Sequence, residues 1–331
     1  MKAKKIMNYY KENGMAALVR EGASRWTIIP YYINNIMWNA KNTSGRSVLD
    51  YDWDNLILLD GCRYDEFIKR KYFPEQDVNQ RVTLGHNTPT FLYRNFGEVE
   101  LHDIVYCTAN PQVLKFVSEH PREVSRFHDV VSLLDKWDNE TQTILPSTVY
   151  EEGLKLQKKH PQKRFIFHFL QPHVPFLGEK ADEIEQRIGK RLGGLDPHRD
   201  YTFTSVKRGD PNRVSHTRMA ELDVGVDEYI TAYRETMDIV IEYAMKLAEE
   251  IDGKTALTSD HGWNLGERSV PFFGPKWLPE RHEIRTDELC KVPYIEFDWD
   301  ERKRVIEEDP SEKLDIDRSK IGRRLTALGY K

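Results

Sequence analysis

Cysteine is scarce in this chain of 331 residues, which has three: Cys62, Cys107 and Cys290. Their number is odd and their spacing does not match a metal-binding motif, so the sequence predicts neither a disulfide framework nor a cysteine-based zinc site. Few, scattered cysteines are typical of proteins that work in a reducing compartment. We therefore expect a cytoplasmic protein.

Long apolar runs and an excess of positive charge are also missing. No stretch approaches the roughly 18 apolar residues of a membrane-spanning helix. Lys2, Lys4 and Lys5 lie near the start of the chain, but no apolar segment follows them, so the pattern does not predict a secretory signal. The net charge is −5 at pH 7, and we expect no nucleic-acid partner.

The chain does have an alternation of apolar runs and helical patterns. Continuous apolar runs such as Asn55–Leu59 and Arg164–Leu170 are typical of buried parallel strands. Apolar residues at helical spacing between Tyr233 and Ile251 predict a long amphipathic helix. Further strands are predicted at 103–108, 127–134, 254–259 and 292–297, and further helices near 111–119 and 146–159. This alternation predicts an α/β fold, with a mostly parallel central sheet flanked by helices on both faces and a small C-terminal lobe.

Composition divides the chain into an N-terminal arm (1–50), a main domain (51–300) and a C-terminal tail with a short helix (301–331). Within the main domain, the polar stretch 179–216 predicts an insertion or lid. Up to Ala40 the arm has six Lys or Arg residues against two acids, interleaved with aromatic and aliphatic side chains. Two interpretations stay open: this basic amphipathic segment lies on an anionic membrane, or it is a helical arm packed on the main domain.

Acidic side chains follow two of the predicted strands. The run Asn55–Leu59 ends in Asp60, and the strand at 254–259 ends in Asp260, which His261 follows. In open α/β sheets, ligands bind outside the carboxyl ends of the strands. Two carboxylates and an imidazole there would hold one or two divalent ions such as Zn²⁺, Mn²⁺, Mg²⁺ or Ca²⁺. A pair of helix N-caps is the alternative, but two such acids with a following His-Gly favour a metal site.

Three motifs in order along the chain, "LILLDGCRYDEF", "HFLQPHVPFLG" and "TALTSDHGWNLGER", resemble the sulfatase-like branch of the alkaline phosphatase superfamily. The resemblance runs from about Asp54 to Phe297. It implies metal-dependent hydrolysis or transfer of a phosphoryl or sulfuryl group on an anionic ester. It also suggests a cell-surface glycan or a lipid-linked phosphoester as the substrate.

The resemblance also implies roles for single residues. Asp60, Asp260 and His261 match the metal-binding positions, and His282 would complete the second half of the site. A solvated loop histidine is the alternative for His282. His173, in the Gln-Pro-His motif, would lie near the substrate or a second metal. His168 lies inside a predicted strand, and we expect it to be structural.

The nucleophile of this superfamily lies at the start of a helix, which here matches the stretch from Gly85 to Phe91. We predict that Thr88 is both the nucleophile and a metal ligand. The common family position, two residues before the proline, is Asn87, a poor nucleophile that we assign to substrate binding. Thr90 is the other hydroxyl in the stretch, and a plain helix cap is the alternative for Thr88.

Two more residues are predicted to face the substrate. Arg63 would contact an anionic group or pair with Asp65, and Trp263 would shape the pocket. The cysteine–proline signature of formylglycine sulfatases is missing, which argues against that class. Asn87 at the family's nucleophile position leaves an alternative function open: a catalytically inactive, metal-stabilised binding module for anionic glycans.

Overall fold

The structure is a computed structural model that describes residues 28–42, 44–74, 77–119, 125–189, 224–267, 284–297, 299–310 and 322. The chain divides into two compact units. The smaller unit comprises Met1–Ser44 and Gly266–Thr286, and the larger comprises Gly45–Leu265 and Asp287–Lys331.

A seven-stranded sheet forms the centre of the larger unit. Its strands are β1 (Asn55–Asp60), β2 (Asn79–Val82), β3 (Leu101–Thr108), β4 (Phe127–Ser132), β5 (Arg164–Pro172), β6 (Thr255–Ser259) and β7 (Lys291–Glu296). Their order is β2-β7-β6-β1-β5-β3-β4. β7 runs antiparallel to both of its neighbours, and the remaining pairs are parallel. The predicted mostly parallel α/β sheet is confirmed.

Helices fill the connections between the strands. They are α1 (Ile28–Lys41) in the smaller unit, and α2 (Tyr64–Arg70), α3 (Thr88–Phe96), α4 (Pro111–Glu119), α5 (Pro146–Lys159), α6 (Glu179–Ile188), α7 (Val226–Glu250) and α8 (Asp287–Cys290) in the larger. Every residue of β1 is buried, so protein covers both faces of the sheet at its centre. The predicted apolar face of α7 is buried as well: Tyr233, Met237, Val240 and Ala244 have no exposed surface.

Residues 179–189 are the described start of the predicted insertion or lid, which stays a prediction. They include α6, whose Ala181 and Ile184 are fully buried. Arg187 pairs with Glu228 of α7, and the side chain of Glu235 accepts a hydrogen bond from the backbone of Lys180. Two apolar residues three positions apart are enough to dock this charged helix on α7. The rest of the predicted insertion, 190–216, lies outside the described residues.

The described part of the C-terminal segment lies against the sheet. Residues 299–310 run without regular structure across the amino ends of the strands, and the small C-terminal lobe stays a prediction. The backbone N–H of Ile306 donates to Gln162, just before β5, and the N–H of Glu308 donates to His102 in β3. Arg302 pairs with Asp54, the residue before β1. Apart from Gly322, the predicted tail helix lies outside the described residues.

The smaller unit is described through α1 and residues 266–267 and 284–286. The side chain of Asn34 donates to the carbonyl of Arg285, whose own N–H donates to Asn35. The Arg285 guanidinium also lies over the ring of Trp38. The described part of this segment begins with α1 at Ile28, residues 1–27 lie outside the described part, and both interpretations of the arm stay predictions. Among the described residues, no helix is both long and apolar enough to cross a bilayer.

Candidate functional site

The parallel pairing of β1 and β6 brings two acidic residues together. Leu59 pairs with Ser259 in the register of these strands, so Asp60 and Asp260 leave the sheet side by side at its carboxyl edge. Both carboxylates are fully buried. Buried carboxylates need compensating partners because an isolated charge is costly to remove from water.

Each carboxylate has one anchored oxygen and one that faces the other residues of the site. Asp260 Oδ1 accepts the backbone N–H groups of Gly61 (3.2 Å) and His261 (2.8 Å). Asp60 Oδ2 accepts the side-chain amide of Asn110 at 2.6 Å. The remaining oxygens, Asp60 Oδ1 and Asp260 Oδ2, each lie 3.4 Å from Nε2 of His261. The anchors thus fix the direction of the two oxygens that converge.

The hydroxyl of Thr88 joins this cluster from the first turn of α3. It donates to Asp260 Oδ2 at 2.7 Å and lies 3.2 Å from His261 Nε2. Asn87 is the N-cap of the helix, where its side chain accepts the N–H of Thr90. The structure therefore brings Thr88 to the two aspartates and gives Asn87 a capping contact. A role for Asn87 in substrate binding stays a prediction.

Glycine after His261 is required by close packing. A Cβ at Gly262 would lie 1.9 Å from the carbonyl oxygen of Glu288 in α8, and the Gly262 N–H donates to Leu289. The carbonyl of Gly262 lies 2.6 Å from Nδ1 of His261. A carbonyl can only accept, so Nδ1 carries the proton and Nε2 is directed at the aspartates. The same arrangement orients histidines that bind metal ions.

The donor set fits a divalent metal ion. Ligand atoms around a tetrahedral ion with bonds of about 2.0–2.2 Å lie about 3.3–3.6 Å from one another. The distances from His261 Nε2 to Asp60, Asp260 and Thr88 are 3.4, 3.4 and 3.2 Å, close to this spacing, whereas Thr88 and Asp260 are at the shorter hydrogen-bond distance of 2.7 Å. Two carboxylate oxygens, an imidazole nitrogen and a hydroxyl are ligands that Zn²⁺ and Mn²⁺ accept. Their role as ligands stays a prediction.

The electrostatics of the cluster favour positive charge at its centre. Burial raises the pKa of Asp260, and the carboxylate of Asp60 adds to the rise. Burial acts in the same sense on Asp60, but the imidazoles of His173 and His261 outweigh it and lower the pKa of that carboxyl. Burial opposes protonation of His261, yet the two carboxylates raise its pKa to about 9. A metal ion would supply the positive charge that this imidazole otherwise provides.

His173 lies at the edge of the same cluster. Its backbone N–H donates to the carbonyl of Asp60 at 3.0 Å. Its ring meets the indole of Trp263 edge-on, with centroids 4.5 Å apart. Trp263 is half-buried, and its carbonyl accepts from Arg63, whose guanidinium also holds both oxygens of Asp65. Arg63 thus makes the predicted pair with Asp65, and its contact with a substrate stays a prediction.

Two residues of the prediction have a different outcome. His282, the proposed ligand of a second metal, lies outside the described residues. Thr90, the alternative nucleophile, is half-buried, and its described contact is the backbone hydrogen bond to Asn87 rather than one to the aspartates.

Sequence reasoning missed three residues of the site. Asn110, which holds Asp60, follows β3 and precedes a helix, a position typical of a helix cap. Ser259 accepts the N–H of Cys62 and donates to the carbonyl oxygens of Leu59 and His261, and so joins the two strand ends. His168, which was expected to be structural, lies fully buried with Asp60 and Asp260 in a group whose ligand atoms are all within 4.8 Å of one another. Asn110 and Ser259 lie at the carboxyl ends of β3 and β6, which is a signal available in the sequence, whereas His168 lies inside β5 and no such signal marks it.

No protein-family model matches the chain, and no curated protein matches its sequence. Solved structures do match. The soluble domain of lipooligosaccharide phosphoethanolamine transferase A from Neisseria meningitidis is 10% identical over 73% of this chain and 75% of its own, with a TM-score of 0.43. The periplasmic domain of EptC from Escherichia coli, in complex with zinc, is 12% identical over 78% and 76%, with a TM-score of 0.38. An alkaline phosphatase superfamily protein from Vibrio parahaemolyticus is 9% identical over 80% and 63%, also with a TM-score of 0.38.

The expected cytoplasmic location is contradicted by this comparison, because the Escherichia coli match is a periplasmic domain. The expectation relied on the cysteine count. In the structure Cys62, Cys107 and Cys290 are buried thiols outside any disulfide, and a thiol in such a place acts as a small apolar side chain. Such cysteines carry no information about the redox state of the compartment.

Proposed function

We propose that the protein is a metal-dependent enzyme of the alkaline phosphatase superfamily that transfers or hydrolyses a phosphoryl or sulfuryl group on an anionic ester. The observation that carries the proposal is the Thr88 hydroxyl, 2.7 Å from Asp260 and 3.2 Å from His261 at the start of α3. A buried hydroxyl against a carboxylate and an imidazole has the surroundings that activate a nucleophile. This placement favours an enzyme over the alternative of an inactive binding module.

The residues that would hold the ion are Asp60, Asp260, His261 and Thr88. When bound, a divalent ion lowers the pKa of a coordinated hydroxyl and offsets the negative charge of an anionic ester. The Thr88 hydroxyl donates to Asp260 Oδ2, so this oxygen would accept the Thr88 proton when the hydroxyl attacks the substrate.

Substrate would approach from the side of His173 and Trp263. Asp60, Thr88 and Asp260 have no exposed surface, whereas His261 and His173 keep 4% each and Trp263 is half-buried. With Nδ1 of His173 donating to the carbonyl of Val174, its Nε2 is the atom left to meet a substrate oxygen.

The first turn of α3 has fewer backbone N–H groups available to bind an anion than the first turn of an uncapped helix. Pro89 has no N–H, Asn87 caps the N–H of Thr90, and the carbonyl of Asn87 accepts the N–H of Phe91. Stabilisation of an oxyanion by the helix therefore falls to the N–H of Thr88, with the ion as the main electrostatic partner.

Activity of Thr88 variants tests the proposal. With bis-p-nitrophenyl phosphate and added Mn²⁺ or Zn²⁺, Thr88→Ala should reduce turnover on the order of 10³-fold, because it removes the nucleophile. Thr88→Ser retains a hydroxyl and should retain much of the activity. Thr90→Ala is the matched control and should change turnover by less than about tenfold. Wild-type activity in Thr88→Ala would exclude covalent catalysis through this hydroxyl.

The substrate we propose is a glycan or a lipid-linked phosphoester, reached by contact of the N-terminal segment with an anionic membrane surface. Tyr32, Ile33, Ile36 and Met37 lie on one side of α1 and are 68, 50, 56 and 55% exposed. The basic residues that precede α1 in the sequence complement anionic headgroups. An apolar helix face beside basic residues is the pattern of interfacial binding.

Vesicle sedimentation tests this contact. The double variant Ile33→Asp/Ile36→Asp should bind phosphatidylglycerol vesicles about tenfold more weakly than wild type, because it places charge in the apolar face. Val226→Asp, at an exposed apolar residue of the larger unit, is the control and should bind like wild type. Equal binding of all three proteins would remove the membrane from the proposal.

A further inference from the structure

Three buried histidines surround the aspartates, and two of them have a fixed tautomer. Nδ1 of His261 and Nδ1 of His173 each lie 2.6 Å from a backbone carbonyl, those of Gly262 and Val174. Because a carbonyl oxygen can only accept, both Nδ1 atoms carry a proton. In the neutral rings Nε2 is then a lone-pair donor, ready for an ion or a substrate.

His168 differs from these two. Its Nδ1 lies 2.9 Å from the hydroxyl of Tyr106, and its Nε2 lies 3.8 Å from Asp260 Oδ2. His168, Tyr106 and Asp260 are all fully buried. Within the described part of the chain, His168 Nε2 has no hydrogen-bond partner. A hydroxyl can donate or accept, so the tautomer of His168 follows from the hydrogen bonds of the whole group.

Two arrangements are available. If His168 Nδ1 donates to Tyr106, the buried phenol proton has no acceptor among the described contacts of Tyr106. If Tyr106 donates to Nδ1, the phenol proton is satisfied and the proton of the ring lies on Nε2, which faces the carboxylate of Asp260. The phenol keeps its proton because burial raises the pKa of Tyr106 well above its usual value. The second arrangement gives the phenol proton an acceptor and turns the ring proton toward the carboxylate of Asp260, 3.8 Å away and beyond hydrogen-bond length. The first leaves the phenol proton unsatisfied and turns a ring lone pair toward that carboxylate, so electrostatics and hydrogen bonding both favour the second.

We propose that Tyr106 and His168 form a buried donor chain that positions Asp260, in which Tyr106 donates to His168 Nδ1 and Nε2–H of His168 faces Asp260 Oδ2. His168 is then a positioning residue and not a metal ligand, although it lies within reach of the ion site. The inference rests on the proposed function, because it concerns how a metal-binding carboxylate is held. Substitution of a group that orients a metal ligand in this way typically lowers metal affinity about 10- to 100-fold.

Substitutions of His168 distinguish a donor from a ligand. His168→Gln keeps an N–H donor at a similar reach, whereas His168→Leu removes it. In the full chain, Zn²⁺ affinity measured by competition with a chelator should stay within about threefold of wild type for His168→Gln and fall about 10- to 100-fold for His168→Leu. Tyr106→Phe should lower the affinity by an intermediate factor, because it frees the ring to change tautomer. The absorption spectrum of bound Co²⁺ should be the same in wild type and His168→Gln.

Other outcomes overturn the proposal in recognisable ways. An equal loss of affinity in His168→Gln and His168→Leu, with a changed Co²⁺ spectrum, would make His168 a ligand. Unchanged affinity in all three variants would make it purely structural. A wild-type chain that binds no ion would overturn the proposed function itself. Nitrogen-15 NMR of histidine in the zinc-loaded wild type needs no substitution: it should show a proton on His168 Nε2, and a metal-bound Nε2 would contradict the donor chain.

Discussion

The central strand β1 has a buried aspartate at each end, and the two are held in different ways. Asp54, at the amino end, is 1% exposed and accepts Arg302 Nε at 2.7 Å and Nη2 at 3.0 Å. The backbone N–H of Lys254 donates to it as well. Asp60, at the carboxyl end, has no exposed surface and meets an asparagine amide and the imidazole of His261.

The difference lies in how the charge of each acid is balanced. The charge of Asp54 is balanced within the chain by a guanidinium, and the pair ties the C-terminal segment to the sheet. At the other edge, Asp60 and Asp260 lie together, and the groups around them are oxygen and nitrogen atoms turned toward a common point. A pair of neighbouring carboxylates destabilises the chain unless a cation joins them. At the carboxyl edge the imidazole of His261, with its pKa raised to about 9, offsets part of the charge of the two carboxylates, and a divalent ion would offset it more fully.

Breaking the ion pair between Asp54 and Arg302, at the amino end of β1, should lower the free energy of unfolding. Arg302→Gln leaves Asp54 buried without its guanidinium. A fully buried pair would cost about 3–5 kcal/mol, but the side chain of Arg302 is 43% exposed, so we expect about 1–2 kcal/mol. Urea unfolding measures this difference. Arg304→Gln, two residues along the same segment, is the control and should change the free energy of unfolding by less than about 0.5 kcal/mol.

The same pair predicts a smaller, pH-dependent effect. Burial opposes ionisation of Asp54, but hydrogen bonds from Arg302 and the backbone lower its pKa from the usual value. A lowered pKa contributes stability above the unfolded value of about 3.9 and loses it as the pH falls through the folded value. The gap in unfolding free energy between wild type and Arg302→Gln should therefore be full at pH 6 and shrink below about pH 4. A gap that stays constant to pH 3 would show that Arg302 stabilises by packing alone.

The sequence singled out Asp60 rather than Asp54 as a site residue because the direction of the strand places them at opposite edges of the sheet. Both flank the same apolar run, and only the rule that sites form at carboxyl ends separates Asp60 from Asp54. Neither the partner of Asp54, 248 residues away, nor the contact of Asn110 with Asp60 is visible in a local pattern. β2 was missed for a related reason. Its residues, Asn79 to Val82, are mostly polar, and backbone pairing with β7 creates the strand.

The stability of the chain with and without a divalent ion tests the central claim most directly. At about 100 times the dissociation constant, Zn²⁺ or Mn²⁺ should raise the free energy of unfolding of the wild type by about 2.7 kcal/mol. Arg302→Gln should start lower and gain the same amount, because its change lies at the other edge. Asp260→Asn should gain nothing, since it removes a converging oxygen. If Asp260→Asn gained as much as the wild type, or if the wild type gained nothing, the carboxyl edge of the sheet would not be a metal site.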